Sequence, residues 1–185
     1  MRIVRLTLEE NLVLSPTEDT FYVATRARSK PYDGVDEKLA HFDVHINLLL
    51  EGLSVELVYA DVVQGKIDSG IAFNAFIEHK APKTKSRVIS RIILGENASF
   101  NFCGNINLAS EASSSEGTLE AKSLATGGNI LWEVKPNLLI GNKSATATHK
   151  ASLVDFNREQ VFYLESRGLH RSEAEETLKK AFLSE

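Results

Sequence analysis

The chain has a single cysteine, Cys103, among its 185 residues, so no internal disulfide can form, and nothing calls for an oxidising compartment. It also lacks any continuous apolar run of the roughly 18 residues that a membrane helix needs. Its opening "MRIVRLTLEENLVLS" alternates charged and apolar residues where a secretory leader would be uninterruptedly apolar. The expectation is a soluble cytoplasmic protein with no membrane partner. Neither sign of charge prevails, since 21 Lys and Arg stand against 25 Asp and Glu for a net charge of -4. No global field then draws the chain to nucleic acid, which is not expected as a partner. Gly65-Lys66-Ile67 lacks the upstream glycine and the hydroxyl of a P-loop, which excludes that mode of ATP binding. No G-x-S-x-G elbow offers a hydrolase nucleophile. The hairpin dipeptides Asn-Gly and Asp-Gly are nearly missing: only Asp33-Gly34 qualifies, in a loop that contains proline. That disfavours a simple meander.

What is present reads as strand after strand. The apolar content of 43% is enough for one sizeable core. Apolar residues recur with a two-residue period in "RIVRLTL", "TFYVATRA", "DVHINLLL", "SVELVYADVV", "ASFNFCGNINL" and "GTLEAKSLA". Small polar clusters such as "LGENAS", "SEASSSEG" and "IGNKSA" separate them and supply turn chemistry. "ILGENASFNF" from Ile93 and "LLIGNKSATATH" from Leu138 share an aliphatic pair, a glycine, polar residues and then alternation, and related glycine corners stand at Gly52 and Gly65. Their spacings approximate multiples of roughly 15 residues, as in a stacked β-solenoid. Ordinary turns in a β-sandwich are the other reading.

Only residues 148–182 read clearly as helix. Asn157 with Gln160 fits a capping box, Gly168 is placed to end the helix in the left-handed conformation, and Ser172 with Glu175 offers a second box. Val161 and Leu164 give one helix an apolar stripe, and Ala174, Leu178, Ala181 and Phe182 give the other one. Such a hairpin either covers the last turn of the body or docks a partner.

Three features are candidates for chemistry. His41, Asp43 and His45 alternate in "HFDVH", so a strand presents all three on one face, a conceivable shell for a divalent metal and the basis of an alternative reading as a small metal-dependent enzyme. Cys103, beside Phe102, reads as a small buried hydrophobe or, less simply, as a functional thiolate. Lys80, Lys83, Lys85, Arg87 and Arg91 form a local basic cluster that lacks the interleaved aromatics or groove-reading helix of a nucleic-acid site.

Two segments resemble the SufB/SufD family of iron–sulfur cluster assembly scaffolds. "FIEHKAPKTKSRVISRIILGENASFNFCGNI", residues 76–106, is similar to its signature of a His, a Pro and a Thr-x-Ser step before a strand, then a glycine corner and an F-x-x-G-x-I strand. "SATATHKASLVDFNREQVFYLESRGLHRSEAEETLKKAF", from Ser144 to Phe182, is similar to its C-terminal end, where Phe162, Tyr163, Leu164, Ser166, Arg167 and Gly168 stand together. The resemblance implies a right-handed parallel β-helix over residues 1–155, with a short α-helical hairpin over 156–185 as cap and docking segment. It implies a short, reduced, non-catalytic scaffold subunit that pairs with itself or a SufB/SufD-like paralogue. It also implies a SufC-type ABC ATPase as partner, met through Phe162, Leu164, Arg167, Leu178 and Phe182. His149 matches a family histidine near the pairing interface, where a transient cluster, and no stably bound cofactor, is expected. Lys150 stands where the SufB type has Glu, and "LEAKSLA", near residue 121, has no counterpart of its assembly cysteine. A SufD-like structural role follows. One cysteine and five histidines cannot supply a standard cluster site within one chain.

Overall fold

The computed structural model describes residues 2–8, 11–26, 40–64 and 70–184. The chain runs β1 (Arg2–Leu8), β2 (Leu12–Leu14), β3 (Thr20–Arg26), β4 (Ala40–Leu48), β5 (Ser54–Val63), β6 (Ile71–His79), β7 (Lys85–Leu94), β8 (Ser99–Leu108), β9 (Glu116–Ala125), β10 (Leu131–Ile140), β11 (Thr146–Val154), α1 (Arg158–Ser166) and α2 (Arg171–Ser184). Every strand pair is parallel. Odd strands stack as one sheet in the order β1-β3-β5-β7-β9-β11, and even strands as a second in the order β10-β8-β6-β4-β2. The polypeptide therefore coils between two facing sheets as a parallel β-helix. The sandwich reading is set aside, because each strand pairs with the strand two places further along the chain.

One coil takes about 31 residues, as Ser54, Lys85 and Glu116 align across β5, β7 and β9. The roughly 15-residue interval of the sequence pattern is thus half a coil. Ile93 and Leu138 begin corners of opposite kind, one leaving the odd sheet and one entering it. Gly65 and Asp33-Gly34 lie outside the described residues.

The two-residue period decides which side chains enter the lumen. On β8, Phe100, Phe102, Gly104, Ile106 and Leu108 are buried while Ser99, Asn101, Cys103, Asn105 and Asn107 face outward, only partly covered. Tyr59, Phe73, Phe100 and Phe102 fill the centre, with Phe73 stacked 5.6 Å from Phe102 and tilted against Tyr59 at 4.6 Å. Corners stack as well. Gly52, Lys83 and Ser114 all take positive φ, at 78°, 55° and 54°, at the turns into β5, β7 and β9. Gly52 N–H donates to the Pro82 carbonyl and Lys83 N–H to that of Ser113, so each corner is held by the next. Asn97 and Asn129 do the same at the opposite corner, both at φ 52° and joined side chain to side chain at 2.8 Å. Asn tolerates that backbone better than most residues.

The hairpin lies against the side of this coil. Phe182 is buried with Ile93 and Leu124, flanked by Val154, Phe156 and Leu183. Ile93 and Leu124 are register partners on the outer face of β7 and β9, so α2 flanks the wall of the odd sheet. The Asn157 side chain accepts from the N–H groups of Glu159 and Gln160. Gly168, at φ 95°, ends α1 in a Schellman motif, with Gly168 N–H on the Glu165 carbonyl and Leu169 N–H on that of Leu164. The second box is displaced from its expected place. Glu173 accepts from His170 N–H at 2.9 Å, making His170 the cap, while Glu175 pairs with Arg171 at 3.0 Å. Once Gly168 fixed the first stop, the only turn left before the apolar stripe began two residues earlier than Ser172.

Candidate functional site

Two surfaces stand out: the C-terminal end of the coil and the hairpin beside it. Among the described residues, β10 and β11 each pair on one side only. Their inward side chains continue the lumen rows: Trp132 follows Phe100, Val134 follows Phe102, and Leu138 follows Ile106. In the same way His149 follows Leu119 and Leu153 follows Ser123. No further coil closes over them, so Trp132, Val134 and Leu138 are half-buried, and His149 and Leu153 are exposed. Trp132 is held by its Nε1–H, which donates to Ser123 Oγ at 2.9 Å. This is an open sheet edge over an uncovered core, the kind of surface that natural folds cover or pair.

On the hairpin, Val161 and Ala174 are buried. Leu164 and Leu178 meet across an open groove of about 330 Å³, lined also by Tyr163, Ala181 and the stems of Glu159 and Gln160. Phe162 is 72% exposed and Tyr163 55%. The Arg167 guanidinium lies 5.2 Å from the centre of the Tyr163 ring. Of the five residues expected to meet a partner, Leu164 and Leu178 line this groove and Arg167 lies over its Tyr163, Phe162 is exposed elsewhere on α1, and Phe182 is buried where α2 meets the sheet, with Lys122 Nζ 5.5 Å above its ring.

The histidine signature has an internal use. His79 is fully buried, its Nδ1 2.8 Å from Thr84 Oγ1 and its Nε2 2.7 Å from Ser86 Oγ. Thr84 Oγ1 donates on to the Ala81 carbonyl at 3.1 Å and lies 2.9 Å from Ser115 Oγ in the next coil. Burial pulls the His79 imidazole down to about 4, since the charged form would lose its hydration. The Thr-x-Ser step is a corner clamp.

The remaining candidates disperse. His41, Asp43 and His45 share the outer face of β4, as alternation requires, but His45 stacks on Phe76 with ring centres 4.4 Å apart. His41 Nε2 lies 2.8 Å from Asp43 Oδ1, and Asn74 Nδ2, one strand over, is 2.8 Å from that oxygen and 3.0 Å from the same nitrogen. Among the described residues no group of three or more His, Cys, Asp and Glu side chains could hold a metal. Asn74 was absent from the sequence argument; the signal that finds it is the coil period, which places it in register with Asp43. Cys103 faces outward, contrary to the buried reading, because Phe102 takes the lumen; Asn105 and Asn137 each donate to its Sγ at 3.5 Å. The basic cluster is neutralised coil by coil. Lys83 meets Glu51, Lys85 meets Glu116, and Arg87 and Arg91 share Glu120. Burial alone would raise the Glu120 carboxyl, but the hydrogen bonds and charges of Arg91 and Arg87 hold it below its ordinary value. No helix among the described residues is long and apolar enough to cross a membrane.

Comparison with known proteins gives a consistent result. The family described as "SUF system FeS cluster assembly, SufBD core domain" matches residues 1–182. The iron-sulfur cluster assembly protein SufD of Escherichia coli is 29% identical over 110 residues, which are 60% of this chain and 26% of that protein. A SufBD family protein of Staphylococcus saprophyticus is 27% identical over 105 residues, 57% of this chain and 23% of its own. A chloroplastic SufBD family protein of Arabidopsis thaliana is 29% identical over 96 residues, 52% and 17% respectively. The chain thus spans about a quarter or less of the length of these relatives.

Proposed function

The chain belongs to the SufBD core family of iron–sulfur cluster assembly proteins, and from that premise we propose that it is a non-catalytic scaffold subunit with two separate contact surfaces. It pairs through the open end of its β-helix with a second copy or a SufB/SufD-like paralogue, and it docks a SufC-type ATPase through the α1/α2 groove.

The observation that carries this reading is the end of the coil. Among the described residues two parallel sheets stop on the same side with unpaired edges, over a row of Trp132, Val134 and Leu138 that water still reaches. A partner strand there would satisfy backbone groups and remove apolar surface together. His149 lies at the same open end, on β11 of the facing sheet, so pairing would enclose it, next to whatever cluster passes through the interface. A resident cluster does not suit this chain, whose one thiol sits on the outer wall of the even sheet. The hairpin groove supplies Leu164 and Leu178 as anchors beside the exposed Tyr163, the pattern of an apolar seam awaiting a partner.

Co-purification with the host's Suf-type ATPase, followed by size exclusion with light scattering, separates the two surfaces. Leu138→Glu should abolish self-association or paralogue pairing yet keep the ATPase complex. Removal of residues 156–185 should lose the ATPase. A folded full-length chain that forms neither complex would defeat the proposal.

A further inference from the structure

We propose a divalent-cation site on the outer face of the even sheet, formed by His41 and Asp43 of β4 and Asn74 of β6. The three polar atoms approach one another as the corners of a triangle: His41 Nε2 to Asp43 Oδ1 2.8 Å, Asn74 Nδ2 to Asp43 Oδ1 2.8 Å, and Asn74 Nδ2 to His41 Nε2 3.0 Å.

Protons leave one edge of that triangle without a hydrogen bond around a neutral imidazole. If the amide of Asn74 donates both its hydrogens, one to Asp43 and one to His41, then Nε2 is bare and two lone pairs face each other along the His41–Asp43 edge. If Nε2 instead carries the proton toward Asp43, two donors face each other along the His41–Asn74 edge. A cation above the triangle removes the conflict. Turning the Asn74 amide by half a turn presents its oxygen in place of the nitrogen, an exchange of near-isosteric atoms. The set becomes one imidazole nitrogen, one carboxylate oxygen and one amide oxygen.

The edge lengths choose the geometry. With ligands about 2.1 Å from the ion, an octahedral face has edges of about 3.0 Å, whereas a tetrahedral one has edges of about 3.4 Å. The observed triangle matches the octahedral face, leaving the three opposite positions to water or to an incoming ligand. Imidazole with oxygen donors suits a first-row divalent metal over calcium, which takes oxygen alone. The site is accessible, with the His41 side chain 53% exposed and that of Asp43 20%. His45, two residues on, is engaged with Phe76 and takes no part. The site is independent of the pairing and docking surfaces proposed above.

Cobalt(II) is the probe, added to the metal-free full-length protein and followed by calorimetry and visible absorption. The expected result is one equivalent bound with the weak absorption of six-coordinate cobalt. Affinity should fall at least tenfold in His41→Ala and in Asp43→Ala and stay within twofold in His45→Ala. It should rise at least threefold in Asn74→Asp, which exchanges an amide for a carboxylate. That gain distinguishes a ligand from a structural hydrogen-bond partner and decides the matter even if an alanine variant fails to fold. The proposal is overturned by absence of cobalt binding, by an intense tetrahedral spectrum, by binding that survives in His41→Ala or moves with His45 or His149, or by an Asn74→Asp protein that binds no better.

Discussion

Taking the protein from about pH 7.5 to about pH 4.5 is expected to remove about 2.5 kcal/mol of folding stability through His79 alone. In the folded chain the imidazole is buried against Thr84 and Ser86, and burial lowers it to about 4 from its ordinary 6.5. An unfolded chain binds the proton at the ordinary value, so stability is complete above about pH 6.5 and drains as the pH falls toward 4, where the folded state begins to take the proton too. A depression of about 2.5 units, at about 1.4 kcal/mol per unit, sets a ceiling of about 3.5 kcal/mol, of which about 2.5 kcal/mol is lost by pH 4.5. Urea unfolding at a series of pH values, wild type beside His79→Gln, is the assay. Glutamine should cost stability at pH 7.5, where the clamp is intact, and should flatten the profile between pH 6.5 and 4.5. Glu120 loses its stabilising contribution only lower, as the pH falls from the ordinary carboxylate value toward its depressed one, so the two windows separate. A His79→Gln profile as steep as the wild type's would refute the assignment of His79 as the titrating group.

Other expectations follow from packing. Phe102→Ala, at a lumen position with no solvent exposure that stacks on Phe73, should lower stability by about 3–5 kcal/mol in urea titrations. Asn157→Ala should cost about 1 kcal/mol by removing the two side-chain caps of α1, read as lost helical circular dichroism on heating. Leu178→Ala should leave the melting temperature within a degree or two yet weaken the ATPase complex by about 2 kcal/mol, roughly 30-fold. Phe182→Ala should do the converse first, loosening α2 from Ile93 and Leu124, with hydrogen exchange in residues 171–184 rising before any change in the coil.

The solenoid was legible because its evidence is local: alternation on each strand, and a corner of small polar residues every half coil. The same alternation, followed strictly from Phe102, would have put Cys103 outside, and only the general tendency of cysteine to be buried argued otherwise. What one strand cannot reveal is which residue lies beside it. The His41 and Asp43 pairing was readable within β4, but Asn74 joins them only through the register of β4 on β6. The partners of the basic cluster were hidden for a related reason, since Glu51, Glu116 and Glu120, which neutralise it, are brought alongside by the coil. The place of the hairpin depends on Ile93 and Leu124, outward residues of two strands whose adjacency creates a patch that neither shows alone.

The repeated left-handed corner at Gly52, Lys83 and Ser114 makes the stretch from Lys85 to Ser115 an interchangeable building block. It begins in register with Ser54 and ends where Glu116 takes over in register with Lys85, so a tandem duplicate inserted after Ser115 meets the same neighbours on both sides. Such a lengthened protein should gain one strand in each sheet and carry its contact surfaces about 4.8 Å further from the N-terminal strands. The molecule can thus serve as a ruler graduated in single coils.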